Sequence, residues 1–168
     1  MLDINNNENR LEAEEEKALK ILSKIVETIS YEAKIKKISS EKDYTIFEII
    51  NAESAIIIGR HGHTLDAIQY MVNLIANKGN KDNHRVYVVD IDGYRKRREE
   101  SLQRYAKEKA EIVKRKGSPV PLYFLNSIER RLIHMALKDD IRVTTASEGR
   151  EPYRRVIIKP AINQNLEQ

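Results

Sequence analysis

Apolar residues recur at helical spacing in four stretches of the chain and alternate with polar residues in several others. The helical stretches are 11–29, 65–75, 94–116 and 122–137. The strand-like stretches are 33–39, 44–50, 85–91, 141–145 and 153–159. A short apolar stretch, 53–58, precedes the second helix. The pattern therefore predicts an α+β protein in which helices and strands occur in two separate groups.

The spacing within each predicted helix also predicts which side chains face a core. These residues are Leu11, Ala18, Leu22, Ile25 and Ile29; Leu65, Ile68, Val72 and Ile75; Leu102, Tyr105, Ala106, Ala110 and Val113; Phe124, Leu125, Ile128, Leu132 and Met135. Gly and Pro at 117–121 break the long third helix. Asp92-Gly93 closes the strand before it, so the chain is predicted to divide into two small domains near Gly93. Polar ends, 1–10 and 161–168, are predicted tails, of which the first is expected to be disordered.

Charge is distributed unevenly between the two predicted domains. The net charge is +4, but residues 93–168 hold 18 Lys and Arg against 10 Asp and Glu, a net charge of +8. The densest run is Arg95-Lys96-Arg97-Arg98. Such asymmetry indicates a polyanionic partner, although a charge run by itself is more often a solvated helix face. The basic run is accordingly predicted to support binding rather than to form a site alone.

Composition excludes several classes of protein. The chain has no cysteine, which removes disulfides, thiolate metal sites and a catalytic thiol. No apolar run is long enough to insert in a membrane, and the acidic, Asn-rich N-terminus does not have the pattern of a signal peptide. We therefore expect a soluble cytoplasmic protein.

The most informative motif is the loop Gly59-Arg60-His61-Gly62, followed by His63 at the start of the next helix. Two glycines let the backbone approach a phosphate closely, and the helix directs its positive end into the same space. The order helix–strand–strand–helix–GxxG–helix–strand over residues 11–92 resembles a KH domain of the prokaryotic type. That resemblance implies that Gly59, Arg60, His61, Gly62 and His63 hold the backbone of single-stranded RNA beside an aliphatic groove.

The second motif is a pair of residues on the last predicted helix, Arg130 and His134, which share a helix face because they are four apart. Together with the basic helix before them and the segment Glu151-Pro152-Tyr153-Arg154-Arg155 after them, they resemble the R-three-H domain over 93–160. The resemblance implies a nucleic-acid-binding face that includes Arg130, His134, Arg154 and Arg155, supported by Arg95, Lys96, Arg97 and Arg98. Two alternatives give these residues no binding role: His134 is a partly buried core histidine, and Arg154 and Arg155 are charges on an edge strand.

A KH domain followed directly by an R-three-H domain resembles the bacterial Jag (KhpB) family. The resemblance implies a cytoplasmic protein that binds single-stranded RNA, acts after transcription, and is linked to cell elongation, division or sporulation. It also implies a small single-KH protein as a partner. Many family members carry a further N-terminal domain, and this chain has only about ten residues before its first predicted helix, so any role of that domain is in doubt here.

RNA binding has four alternatives. Single-stranded DNA is an alternative ligand, because recognition of the 2′-hydroxyl depends on geometry. A scaffold whose basic face meets an acidic partner or membrane is another. An enzyme is disfavoured, since no nucleophile–base set and no paired carboxylates with metal spacing stand out. A metal site at His61 and His63 with Asp66 is also disfavoured for want of further spaced ligands, and no cofactor is predicted.

Overall fold

The computed structural model describes residues 2–30, 32–41, 44–50, 53–79 and 84–161, with side chains from residue 9 onward. The chain divides into two units, Met1–Tyr94 and Arg95–Gln168, next to the boundary predicted near Gly93. Each unit has its own sheet and its own apolar core. The predicted α+β class with two small domains is confirmed.

The first unit contains six main elements. They are α1 (Leu2–Glu27), β1 (Lys34–Ser40), β2 (Tyr44–Ile50), α2 (Ser54–Ile58), α3 (His63–Ala76) and β3 (Val86–Ile91). β2 pairs with β1 in antiparallel fashion and with β3 in parallel fashion, giving the sheet order β1-β2-β3. Because α1 begins at Leu2, the segment 1–10 that was predicted to be a disordered tail is helical from its second residue.

The apolar stripe predicted on α3 is confirmed for three residues and wrong for one. Leu65, Ile68 and Val72 are buried, whereas Ile75 is exposed and Ala76 is buried in its place. Beside the buried stripe, polar side chains of α3 and of its C-terminal cap contact the edge strand β3 and the residue before it. The Asn73 side chain exchanges hydrogen bonds with the Tyr87 backbone, and the Asn77 side chain does so with the Arg85 backbone. The Gln69 side chain accepts a hydrogen bond from the Val89 amide. These amides satisfy backbone groups that an edge strand otherwise leaves open.

The second unit contains α4 (Tyr94–Lys116, whose first residue belongs to the first unit), β4 (Val120–Leu122), α5 (Ser127–Leu137), β5 (Val143–Glu148) and β6 (Arg155–Pro160). The sheet order is β4-β6-β5, and both pairings are antiparallel. Leu102, Ala106, Ala110 and Val113 are buried, which confirms most of the stripe predicted on α4, although Tyr105 is exposed. Residues 162–168, most of the predicted C-terminal tail, lie outside the described residues.

The start and the inner face of α5 differ from the prediction. The helix begins at Ser127 instead of 122, because Asn126 and Glu129 form a capping box: the Asn126 side chain accepts from the Glu129 amide and the Glu129 side chain accepts from the Asn126 amide. Residues 120–122 instead form β4. The inner face carries Glu129, Arg130, Ile133 and Leu137. Of the predicted stripe, Leu125 is buried outside the helix and Leu132 is half-buried, but Phe124, Ile128 and Met135 are exposed.

Candidate nucleic-acid interface

The glycine loop connects α2 to α3 through a short 3-10 turn, Arg60–Gly62. Three of its residues have positive φ angles: Gly59 at 69°, His61 at 57° and Gly62 at 84°. A backbone in this region is disfavoured for residues with a Cβ atom, which explains glycine at two of the positions. The loop conformation therefore depends on the residues predicted to form it.

Close packing is a second reason why glycine is required at positions 59 and 62. A Cβ atom on Gly59 would lie 2.0 Å from Thr64 Oγ1, and one on Gly62 would lie 2.9 Å from Cε1 of Tyr94. The Gly59 amide donates to the Ala55 carbonyl at 3.0 Å, and the Gly62 amide donates to the Gly59 carbonyl at 3.4 Å. Any larger side chain at either position would push the loop away from α3 or from the Tyr94 ring.

The outer side of the loop carries its polar side chains. Arg60, His61 and His63 are exposed, and the two imidazole rings meet edge to face with centroids 6.4 Å apart. Since α3 begins at His63, its positive N-terminal end lies at the same place. Ile56, one turn earlier on α2, is also exposed and provides apolar surface beside the loop. The five residues predicted for the clamp thus lie in one segment suited to binding a phosphate next to an apolar surface.

Among the residues that the structure describes, no cluster of three or more His, Cys, Asp or Glu side chains could hold a metal ion. His61 lies in the loop, and His63 and Asp66 lie in the first turn of α3.

In the second unit, Arg130 points into the protein rather than to solvent. Its side chain is 8% exposed, and its guanidinium donates to the Leu125 carbonyl at 2.9 Å and to the Glu151 carboxylate at 2.5 Å. With its two terminal nitrogens donating to protein groups, this guanidinium is not positioned to hold a phosphate in a bidentate way. Arg130 instead holds the loop that carries Glu151, Tyr153 and Arg154. In the sequence, Glu151 is evident only as the first residue of the segment 151–155, which by itself indicates no role for it.

His134 is also occupied by protein groups. Its Nδ1 atom lies 2.6 Å from the Thr145 hydroxyl and its Nε2 atom lies 2.8 Å from the Ser147 hydroxyl, both on β5. Partial burial lowers the pKa of His134 below its usual 6.5, and the positive charge of Arg130 lowers it further. A neutral imidazole between two hydroxyls orients those hydroxyls and attracts phosphate little. The sequence signal for these contacts is the alternation of Thr145 and Ser147, which places both hydroxyls on the same face of a strand.

Arg154 and Arg155 differ in their surroundings. The Arg154 guanidinium donates to the carbonyls of Ser147 and Gly149, both at 3.2 Å. Arg155 begins β6, is half-buried, and places its guanidinium carbon 5.6 Å from the centroid of the Tyr123 ring. Arg154 thus closes the turn between β5 and β6, whereas Arg155 lies beside an exposed aromatic ring.

The basic run occupies the first turn of α4. Lys96 and Arg97 are exposed, Arg95 and Arg98 are half-buried, and Arg98 pairs with Glu129 at 2.7 Å. The first turn of this helix has no acidic residue. Cations at the positive end of a helix are locally unfavourable, and an arriving polyanion would relieve this repulsion. The run is therefore positioned to attract an anion.

We expect His134 to make the second unit less stable in mild acid. Because its pKa is lower in the folded than in the unfolded chain, unfolding takes up a proton, and the stability that His134 provides falls as pH drops below 6.5. The difference in melting temperature between the wild type and His134→Asn, measured calorimetrically from pH 7.5 to 5, should shrink with acid. Comparison with the variant cancels the other histidines. A constant difference would contradict the prediction.

Two family models match the two units. Residues 15–91 match the KH domain of KhpA/KhpB, and residues 100–160 match the R-three-H domain. The chain is therefore a protein with a KH domain followed by an R-three-H domain. It is 38% identical over 151 residues to RNA-binding protein KhpB of Clostridium symbiosum, an alignment that covers 89% of this chain and 67% of that relative. The chain belongs to the KhpB family, and the predicted resemblance is confirmed.

Other relatives are longer than the region that they share with this chain. Identity to RNA-binding protein KhpB of Lactiplantibacillus plantarum is 36% over 115 residues, covering 68% of this chain and 35% of the relative. Identity to RNA-binding protein KhpB of Bacillus subtilis is 27% over 139 residues, covering 82% of this chain and 66% of the relative. The chain thus spans between about a third and two thirds of these relatives.

Proposed function

We propose that this protein binds single-stranded RNA at two places, the glycine loop of the KH unit and the basic surface of the R-three-H unit. The observation that carries the proposal is the loop: Arg60 and His61 are exposed at the N-terminal end of α3, on a backbone whose positive φ angles depend on Gly59 and Gly62. Such a segment suits the sugar-phosphate strand, and exposed Ile56 suits the bases beside it. Three relatives are named RNA-binding proteins, which supports RNA as the ligand.

Within the R-three-H unit we propose a division of work among the predicted residues. Arg130 and His134 position the β5–β6 region through Glu151, Thr145 and Ser147, whereas Arg155 and the basic run Arg95–Arg98 supply charge to the ligand. Linking two weak sites in one chain raises the overall affinity, because binding at one raises the effective concentration of the strand at the other.

We further propose a cytoplasmic, post-transcriptional role linked to cell elongation, division or sporulation, as the family resemblance implies. A small single-KH protein is the proposed partner. An exposed apolar face on α3 and β3 supports such a partner; it is formed by Tyr70, Leu74, Ile75 and Val86. In the described part of the chain, no helix is both long and apolar enough to span a membrane.

Binding to a panel of polymers over a range of salt concentrations tests the proposal. Single-stranded RNA should bind more tightly than duplex RNA or anionic vesicles, and it should remain intact, as expected of a binding protein. With Z phosphates neutralised, the logarithm of the binding constant should fall with the logarithm of salt with a slope of about −0.7Z. Fluorescence anisotropy measures both. Binding that ignores salt, or that prefers vesicles, would refute phosphate recognition, and equal affinity for single-stranded DNA would favour the DNA alternative.

A further inference from the structure

Two adjacent aromatic side chains stand on the surface of the R-three-H unit, between β4 and the cap of α5. Tyr123 is 51% exposed and Phe124 is 76% exposed. Leu122 of β4 pairs with Val156 of the antiparallel strand β6. The next residue after Leu122, Tyr123, therefore lies opposite Arg155, the residue before Val156. The Arg155 guanidinium therefore lies beside the Tyr123 ring, with Nη1 3.5 Å from the phenol oxygen.

Phe124 combines an unfavourable backbone conformation with an exposed ring. Its φ angle is 57°, in the left-handed region that disfavours residues with a Cβ atom. An exposed ring also gains little from the hydrophobic effect, in contrast to Phe47, the other phenylalanine of the chain, which is buried in the first core. A strained backbone that presents an aromatic ring to solvent is a reason to look for a ligand.

The geometry points to a platform, formed by Tyr123, Phe124 and Arg155, on which unpaired nucleobases stack. The ring centroids are 6.3 Å apart and the planes are inclined by 50°, so neither ring covers the face of the other. Aromatic faces and guanidinium planes stack on any base, while the charge of Arg155 attracts the adjoining phosphate. That cation favours an anionic strand over an apolar protein segment as the occupant. This inference rests on the proposed function and adds a base-binding site to it.

The experiment compares two oligonucleotides of equal length and charge, one with bases and one abasic, in binding to Phe124→Leu and Tyr123→Leu. Each substitution should weaken binding of the oligonucleotide with bases by about fivefold to 100-fold, and leave binding of the abasic strand unchanged. Tyr105→Leu is the matched control, because Tyr105 is another exposed tyrosine of this unit with a cation, Lys109, 5.0 Å from its ring centroid. Its replacement should change neither affinity.

Phe124→Gly tests whether the loss of binding comes from misfolding, because glycine adopts the positive φ angle without strain. It should melt no lower than the wild type and still bind the oligonucleotide with bases as weakly as Phe124→Leu. The chain has no tryptophan, so Phe124→Trp introduces a single probe. Its fluorescence should be quenched by the saturating oligonucleotide with bases and unaffected by the saturating abasic strand.

The outcomes separate this inference from the proposed function. If the wild type binds neither oligonucleotide, the proposed function fails. If the wild type binds and the two leucine variants bind equally well, or lose affinity for both strands alike, the platform is refuted while RNA binding stands.

Discussion

Replacing Arg85 by methionine is expected to destabilise the KH unit by about 1.5–3 kcal/mol, because the buried carboxylate of Glu15 loses its buried cation and keeps only the half-exposed Lys37 as a charged partner. Arg85 is 5% exposed and lies just before the edge strand β3. Its guanidinium contacts Glu15 Oε1 at 3.0 Å, Thr45 Oγ1 at 2.8 Å and Ser40 Oγ at 2.8 Å. One side chain thus joins α1 to β1 and β2, and methionine fills a similar volume without these bonds.

Urea denaturation, with hydrogen exchange of the β2 and β3 amides to localise the effect, measures this loss. Lys20→Ala is the control, because it breaks the Lys20–Glu16 pair, in which both side chains are mostly exposed, and should change stability little. Replacing Glu15 and Arg85 together by apolar residues should recover much of the loss, since no charge is then left buried alone. An Arg85→Met protein as stable as the wild type would show that the network contributes little.

The same network gives the KH unit a characteristic acid profile. Burial alone raises the pKa of Glu15, but hydrogen bonds from Lys37, Ser40 and Thr45 outweigh it and lower that pKa to about 2, against a usual value of 4.5. Because the folded pKa is the lower one, the contribution of Glu15 is complete above pH 4.5 and is lost as the pH falls toward 2. Glu15→Gln should flatten this part of the profile.

Much of the fold could be predicted because apolar periodicity is a local signal. The buried stripe of α4 follows a 3.6-residue repeat, and strands β2 and β3 of the KH unit alternate as expected. The loop Gly59–Gly62 could also be predicted, because glycine is the residue that adopts positive φ angles most readily. The start of α5 was missed because a capping box at Asn126 overrode an apolar run that continues upstream of it.

Hydrogen bonds between polar side chains and partners distant along the chain could not be predicted from the sequence. Asn73 and Asn77 resemble surface residues, yet they hydrogen-bond the edge strand β3. Arg130 and Glu151 are 21 residues apart and meet only when β5 and β6 are formed. The spacing of Arg130 and His134 therefore places them on one helix face. Which part of the protein this face contacts is evident only from the structure.

Reversing charge on the loop is the second large effect that we expect. The double variant Arg60→Asp with His61→Asp should lower affinity for single-stranded RNA by about 100-fold at low salt. Loss of one charged hydrogen bond costs about 1.5–3 kcal/mol, and the new carboxylates repel phosphate in addition. Both side chains are exposed, and aspartate tolerates the positive φ angle of residue 61, so the fold should be retained.

The control for this variant is Lys20→Asp with Lys24→Asp, which adds at least as much negative charge at exposed positions of α1 and should weaken binding far less. In the loop variant the salt slope should also become shallower by about 0.7 for each phosphate that the loop no longer neutralises, whereas the control should keep the wild-type slope, because only a neutralised phosphate releases counterions. Anisotropy titrations at several salt concentrations measure both quantities. Unchanged affinity and slope in a folded loop variant would mean that the strand is held elsewhere in the protein, since a clamp built on the α3 N-terminus cannot keep a phosphate beside two carboxylates.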